Sequence, residues 1–199
     1  DDMASAAWRQ REALVGSTNV YTIPEGVTLA REAVERGATP VVLADHSDRS
    51  GSATWILKDV IEQDLSIVLI ATIADARAID ALEARGVKAG DPFDMEVGGL
   101  VDESAGAPVR VRGTVLNAVG GRGQLWVGGA FGRGHGLVLS RYLVQVMEPG
   151  SVGALGLDVS AFKVFAIKSR VHFRRGFDDS GFARTILLVE PVEPFLGTV

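Results

Sequence analysis

The chain has no cysteine, and only three histidines, three methionines and two tyrosines among its 199 residues. The missing cysteine excludes disulfides, thiolate metal sites and a cysteine nucleophile. The histidines stand far apart, at 46, 135 and 172, and no HExxH pair occurs, so no self-contained zinc hydrolase motif is present. A Walker loop is absent, and no GxGxxG follows the first strong strand, which removes the usual sequence grounds for a nucleotide site. No apolar run approaches the roughly 20 residues that a membrane helix needs. The first ten residues, DDMASAAWRQ, lack the basic region and apolar core of a signal peptide. Together these absences suit a cytoplasmic protein that does not engage a membrane. A formal net charge of −5 argues against nucleic acid as the main partner.

What is present is a chain able to bury a substantial core, with 47% apolar residues. The segment 40–63, PVVLADHSDRSGSATWILKDVIEQ, is the most informative. Residues 41–44 form a continuous apolar run, the character of a strand covered on both faces. Ala53, Ile56, Leu57, Val60 and Ile61 then recur at i, i+3, i+4, i+7 and i+8, one face of a helix. The polar loop between them falls where α/β proteins place their sites, at a strand's carboxyl end and a helix's amino end.

The rest of the chain extends this pattern. Residues 4–11 predict a first helix, closed near Gly16. Thr22-Ile23-Pro24-Glu25 has the form of a capping box with Pro in the first turn, opening a helix that stops at Gly37. Residues 67–71 read as a second buried strand, and Asp75 as the cap of a helix reaching Arg85, with Gly86 its terminator. The succession βαβα implies right-handed crossovers and a parallel sheet. The middle is different. Residues 94–147 alternate apolar and polar positions between glycine pairs and predict antiparallel hairpins, with 143–147 as a further strand. Afterwards 164–167 and 186–189 return to buried strands, and 171–177 suggest a short helix. The fold class is therefore α/β, with a mainly parallel sheet flanked by helices and a β-rich antiparallel insertion at about 94–147. Residues 1–38 read as a helical lead-in from a preceding domain, and 39–199 as the α/β domain itself.

Two segments carry the chemistry. In the first, Asp45, His46, Asp48, Arg49, Ser50 and Gly51 line the loop after residues 41–44. Asp45 and His46 are adjacent at a strand end, so their side chains point apart and do not suit one metal ion. Ser50 and Gly51 read first as an ordinary cap and turn and second as an anion cradle. In the second, Lys168 and His172 follow residues 164–167. If that strand runs parallel to 41–44, Lys168 emerges beside Asp45, either as half of a crevice or as a plain ion pair. His135, in FGRGHG, sits among glycines that hairpin turns also explain.

The order of PVVLAD, a Ser/Gly loop, LVLSRYLVQVMEP and VFAIKSRVHFRRGF resembles the carboxy-terminal domain of the microcystinase C-like (MlrC-like) proteins, the M81 family of zinc-metallopeptidase-like proteins. The resemblance covers roughly residues 39–189. Its most specific pieces are Lys168-Ser169 with His172-Phe173-Arg174, and Ser140-Arg141 with Val144-Gln145. The loop departs from the family's glycine-rich pattern, since Asp48 is followed by Arg49 and Ser50 and only Gly51 persists. The resemblance implies a zinc-dependent amide hydrolase whose zinc sits in a larger amino-terminal domain, with no cofactor held by this chain. It implies the amino-terminal domain and a small peptide-like substrate as partners; a homo-oligomer is compatible with it. This chain would then wall the cleft through Asp45, His46, Asp48, Arg49, Ser50, Gly51, Lys168 and His172. The alternative reading is a non-catalytic α/β module that binds a small anion at a helix amino terminus.

Overall fold

A computed structural model of the chain describes residues 2–15, 19–46, 53–99, 105–121 and 124–192. Nine strands form one sheet: β1 (Val20–Thr22), β2 (Val41–Asp45), β3 (Val68–Ala74), β4 (Pro92–Val97), β5 (Val109–Gly121), β6 (Gln124–Phe131), β7 (His135–Ser140), β8 (Val164–Lys168) and β9 (Thr185–Glu190). Their order across the sheet is β1-β9-β2-β8-β3-β7-β6-β5-β4. Every neighbour pair from β1 to β7 in that order is parallel, and the pairs among β7, β6, β5 and β4 are antiparallel. This is the mixed α/β sheet that the apolar runs and the alternating middle imply.

Two clusters cover the sheet's faces. Along β2, Val41 and Leu43 face one cluster, while Val42 and Ala44 face the other, as side chains of a strand must. The first face carries α2 (Ile23–Glu35), α3 (Ala53–Glu62) and α4 (Ala76–Ala84). The second is closed by α5 (Pro149–Gly153), a short 3-10 turn and a phenylalanine group of Phe162, Phe165, Phe173 and Phe177. The caps are those read from sequence. The Thr22 side chain accepts from the Glu25 amide while Glu25 accepts from the Thr22 amide, and Asp75 caps α4. No helix among the described residues is long and apolar enough to cross a membrane.

Within residues 1–38, read from sequence as a lead-in, β1 pairs with β9, and Ile23, Val27, Ala30 and Ala33 are buried in the main core. In α1 (Asp2–Val15), Met3 and Trp8 are exposed. The antiparallel insertion is present as expected, and β7, parallel beside β3, joins it to the parallel half as one sheet. Two expectations about shorter segments are corrected, at 143–147 and at 171–177. Residues 143–147 form no strand. β7 already has β3 and β6 as neighbours, so the chain after Ser140 crosses the strand ends as an extended strap. Val146 turns inward there, and the Thr72 hydroxyl donates to the Val144 carbonyl. The expected helix at 171–177 is a turn followed by one π-helical turn, Arg174–Asp178.

Candidate functional site

Parallel strands deliver their carboxyl ends to one edge of the sheet. Because β2 and β8 are parallel neighbours in register, Asp45 lies opposite Lys168. Lys168 Nζ approaches Asp45 Oδ2 to 3.4 Å. Asp45 is fully buried and Lys168 is 8% exposed, so the pair is nearly dry. Burial decides its character. A surface pair is held weakly, whereas here both charges are withdrawn from water and their attraction is little screened.

Around this pair the chain is tightly tied. The His46 amide donates to the Val189 carbonyl at 2.8 Å. Its imidazole is held below the usual histidine range, first by burial and then by the positive charges of Arg170 and Lys168. Ser169 is fully buried, and its hydroxyl accepts from the Phe173 amide at 3.1 Å. That bond bends the chain back after β8 and leaves His172 on the surface, where its Nδ1 meets Gln145 Oε1 at 3.0 Å. The structure thus brings Asp45, His46 and Lys168 together and sets His172 on the strap beside them. Asp48, Arg49, Ser50 and Gly51 lie outside the described residues.

The same edge holds a group that sequence reasoning took only as a helix cap. Asp75 ends β3 and is buried. Its Oδ1 accepts from the Ala78 amide at 2.8 Å, and its Oδ2 accepts from the Gly98 amide at 2.9 Å. Its own amide donates to the Ser140 carbonyl at 2.8 Å. This one residue therefore ties the ends of β3, β4 and β7 to the start of α4, the carboxylate reaching α4 and Gly98 and the amide reaching β7. Beside it, the Thr54 hydroxyl accepts from the Gly99 amide at 3.1 Å. Gly98 has φ +78°, and a Cβ there would lie 2.2 Å from Thr54 Oγ1. Only glycine fits that corner. A signal for Asp75 existed in the sequence: ATIAD repeats the form of VVLAD, an apolar run closed by aspartate.

Among the described residues, no three His, Asp or Glu side chains converge as a metal would require. Asp45 meets the Lys168 ammonium, and Asp75 meets two amides and, at 3.5 Å, Arg77. What the edge offers is a fixed cation, a partly buried imidazole and a rigid frame. These suit hydrogen bonding to a carbonyl or carboxylate.

Comparison with known proteins agrees with this architecture. Residues 43–190 match the family model described as the MlrC C-terminus. The chain is 30% identical over 166 residues to Microcystinase C of Sphingomonas sp, an alignment covering 76% of this chain and 32% of that protein. It thus spans about a third of that relative's length. The fold is similar to a crystal structure, at 2.13 Å resolution, of a candidate metallopeptidase from Mesorhizobium sp. BNC1. There the TM-score is 0.75 and the identity 17%, over 96% of this chain and 40% of that one. At that identity the likeness is one of fold.

Proposed function

Because the chain belongs to the MlrC C-terminus family, we propose that it is the carboxy-terminal domain of a larger peptidase-like hydrolase that cleaves an amide bond in a small peptide-like compound. The observation that carries this reading is the nearly dry Asp45–Lys168 pair at the carboxyl edge of the parallel strands. A buried charge pair is costly to maintain where apolar packing would serve as well, and such sites concentrate at functional clefts.

The described residues do not fit the zinc that the family resemblance implies, since no three donors converge among them. The metal of such a hydrolase belongs with the part of the larger protein outside this chain, and no step here runs through it. The residues of this chain orient the substrate. Lys168, steered by Asp45, sets a positive charge toward a backbone carbonyl or terminal carboxylate. His46, uncharged at neutral pH, offers a donor or acceptor beside it. His172 stands at the rim, its Nδ1 against Gln145. Asp75 and Thr54 hold the frame on which these groups stand.

A second reading, a non-catalytic domain that captures a small anion, draws on one observation. Lys168 and Arg170 both act on His46, so the edge is locally positive. The complete parent protein separates the two. It is incubated with a mixture of short linear peptides and the products are followed by mass spectrometry. Lys168→Ala is expected to lower kcat/KM at least about tenfold at temperatures where the variant remains folded. The double variant Asp45→Asn/Lys168→Met removes both charges together, recovers folding and stays slow. Full turnover by that double variant overturns the assigned roles. A parent that binds the peptides and never cleaves them favours anion capture.

A further inference from the structure

The strap after β7, residues 141–147, is fixed to the carboxyl edge of the parallel strands along its length. Near its start the Ser140 hydroxyl donates to the Tyr142 carbonyl at 2.8 Å. In its middle the Thr72 hydroxyl, from β3, donates to the Val144 carbonyl at 2.9 Å. Gln145 Oε1 then meets His172 Nδ1 at 3.0 Å, and Val146 is buried among the phenylalanines of the second face. At its end the π-helical turn presses on the strap's backbone: a Cβ at Gly176 would lie 2.2 Å from the Met147 carbonyl oxygen. Only glycine allows that approach. Side-chain bonds and close packing hold the strap where it has no strand partner.

Its outer side is apolar. Val146 points into the core, so along an extended chain Leu143, Gln145 and Met147 point the other way. Tyr142 is 64% exposed, Leu143 45% and Met147 52%. Val171, 61% exposed, joins them, because the contact of His172 with Gln145 brings the turn after β8 against the strap. The other exposed large apolar side chains among the described residues are scattered: Met3 and Trp8 on α1, then Ile61, Leu116 and Val192. Single exposed apolar residues are ordinary on a protein surface, whereas a group of four on one fixed frame marks a contact.

The charges beside this patch say what covers it. Residues 141–147 and 168–172 include Arg141, Lys168 and Arg170 and no aspartate or glutamate. Arg141 is paired with Asp80 and Glu83 of α4, and Lys168 with Asp45. Arg170 is exposed beside Val171 and lends its charge to the edge, where it acts on His46. A second copy of this chain, docked patch to patch, would set these cations against one another with no carboxylate in the patch to meet them. What fits is an apolar surface that carries a carboxylate for Arg170. The relatives that the chain matches are much longer than it is. The reading of this chain as one domain of a larger hydrolase supplies such a surface within the same protein.

Resting on that reading, we propose that the outer side of the strap, together with Val171, is the surface on which the part of the parent protein outside this chain packs. Apolar side chains of that part lie on Leu143, Met147 and Val171, and a carboxylate meets Arg170. The patch shares its edge with the Asp45–Lys168 pair, so this packing sets the rest of the parent over the groups that orient the substrate. A strap fixed from within needs little ordering when the contact forms, which favours it as a docking surface.

The test uses introduced thiols, since the chain has no cysteine of its own. Leu143→Cys, and Ile61→Cys at the far end of α3 as a control, are each prepared in this chain and in the complete parent. Alkylation by N-ethylmaleimide is followed by mass spectrometry on the peptide that carries the new thiol. Both side chains are exposed, so these substitutions leave the fold intact. Leu143→Cys should react at least about tenfold more slowly in the parent than in the chain, whereas Ile61→Cys should react alike in both. In the parent, adding Leu143→Asp/Met147→Asp to Val171→Cys should speed labelling at residue 171 at least about tenfold. Equal rates for Leu143→Cys in chain and parent overturn the proposal, as do equal slowing of both thiols in the parent or unchanged labelling at residue 171. Protection of Leu143→Cys in the chain alone that grows with its concentration also overturns it, and identifies a second copy as the occupant. The proposed function is read separately, from peptide cleavage by the unsubstituted parent. Cleavage together with a fast-reacting Leu143→Cys defeats the docking surface and leaves that function standing. A protected thiol on a parent that cleaves nothing keeps the docking surface and defeats the function.

Discussion

The two halves of this sheet use charge in opposite ways. In the parallel half β2, β3 and β8 are buried along their whole length, and an ion pair at their carboxyl ends is buried with them. In the antiparallel half β4 alternates buried and exposed residues, and the Asp94–Arg110–Arg112 cluster stands in solvent. In both, a carboxylate meets cationic side chains within 4 Å. What differs is the medium. A sheet covered by helices on both faces must desolvate whatever its strands carry to the edge, whereas a ribbon with one wet face leaves its charges hydrated.

Four measurements would break or sharpen this contrast. The largest effect belongs to hydrogen exchange. Amides of β2 and β8 should exchange at least about a thousandfold more slowly than those of α1, because the strands open only with the whole core. Comparable protection in α1 would mean that this helix belongs to the core. Next in size is the Asp45–Lys168 pair. Lys168→Ala should destabilise the chain by about 3–5 kcal/mol in denaturant unfolding, because it removes the countercharge from a buried ion pair. Arg112→Ala, in the wet cluster, should leave the midpoint almost unchanged. If the two variants behave alike, the argument from burial is wrong.

A smaller effect comes at the corner where the halves meet. Gly98→Ala adds a Cβ against Thr54 at a positive φ, whereas Gly37→Ala, at φ +73°, meets nothing within 4 Å. Both lose the glycine conformation, at a cost of about 1 kcal/mol, and only Gly98→Ala adds a collision. Equal unfolding midpoints for the two would show that the corner yields freely.

The smallest effect is the pH response. His46 titrates below its ordinary value of 6.5 in the folded chain. The unfolded chain therefore takes up the proton first as pH falls. The stability that His46 contributes is complete above about pH 6.5 and is lost as pH drops toward the lowered folded value. His46→Asn should flatten the fall in denaturation midpoint between pH 7 and 5. An unchanged profile would remove His46 from the list of perturbed groups.

Much of this was legible from residues alone. The parallel strands announced themselves as continuous apolar runs, because burial on two faces leaves no polar alternate positions. Thr22 with Glu25, and Asp75, marked helix starts because a cap is a local interaction within one turn. The convergence of Asp45 and Lys168 followed from reading both strands as parallel. Other features were not legible. β1 is three residues long and carries no periodicity. Residues 143–147 have the composition of a strand, but both edges of β7 were already taken, and a strand exists only with a partner. Asp75 looked like a cap because its second amide, from Gly98, comes from the far side of a strand and a helix.

The sequence by itself therefore determined the elements and their caps, the parallel-then-antiparallel character, and the family to which the chain belongs. These rest on side-chain periodicity and on hydrogen bonds between near neighbours. Tertiary structure alone decided that Lys168 and Asp45 face each other away from solvent, that β1 and α2 join the main core, and that an early end to β6 leaves residues 109–112 with a strand on one side only. Each of these depends on which distant residues share a neighbourhood, and the strength of a charge there is set by the surrounding dielectric, which no local pattern records.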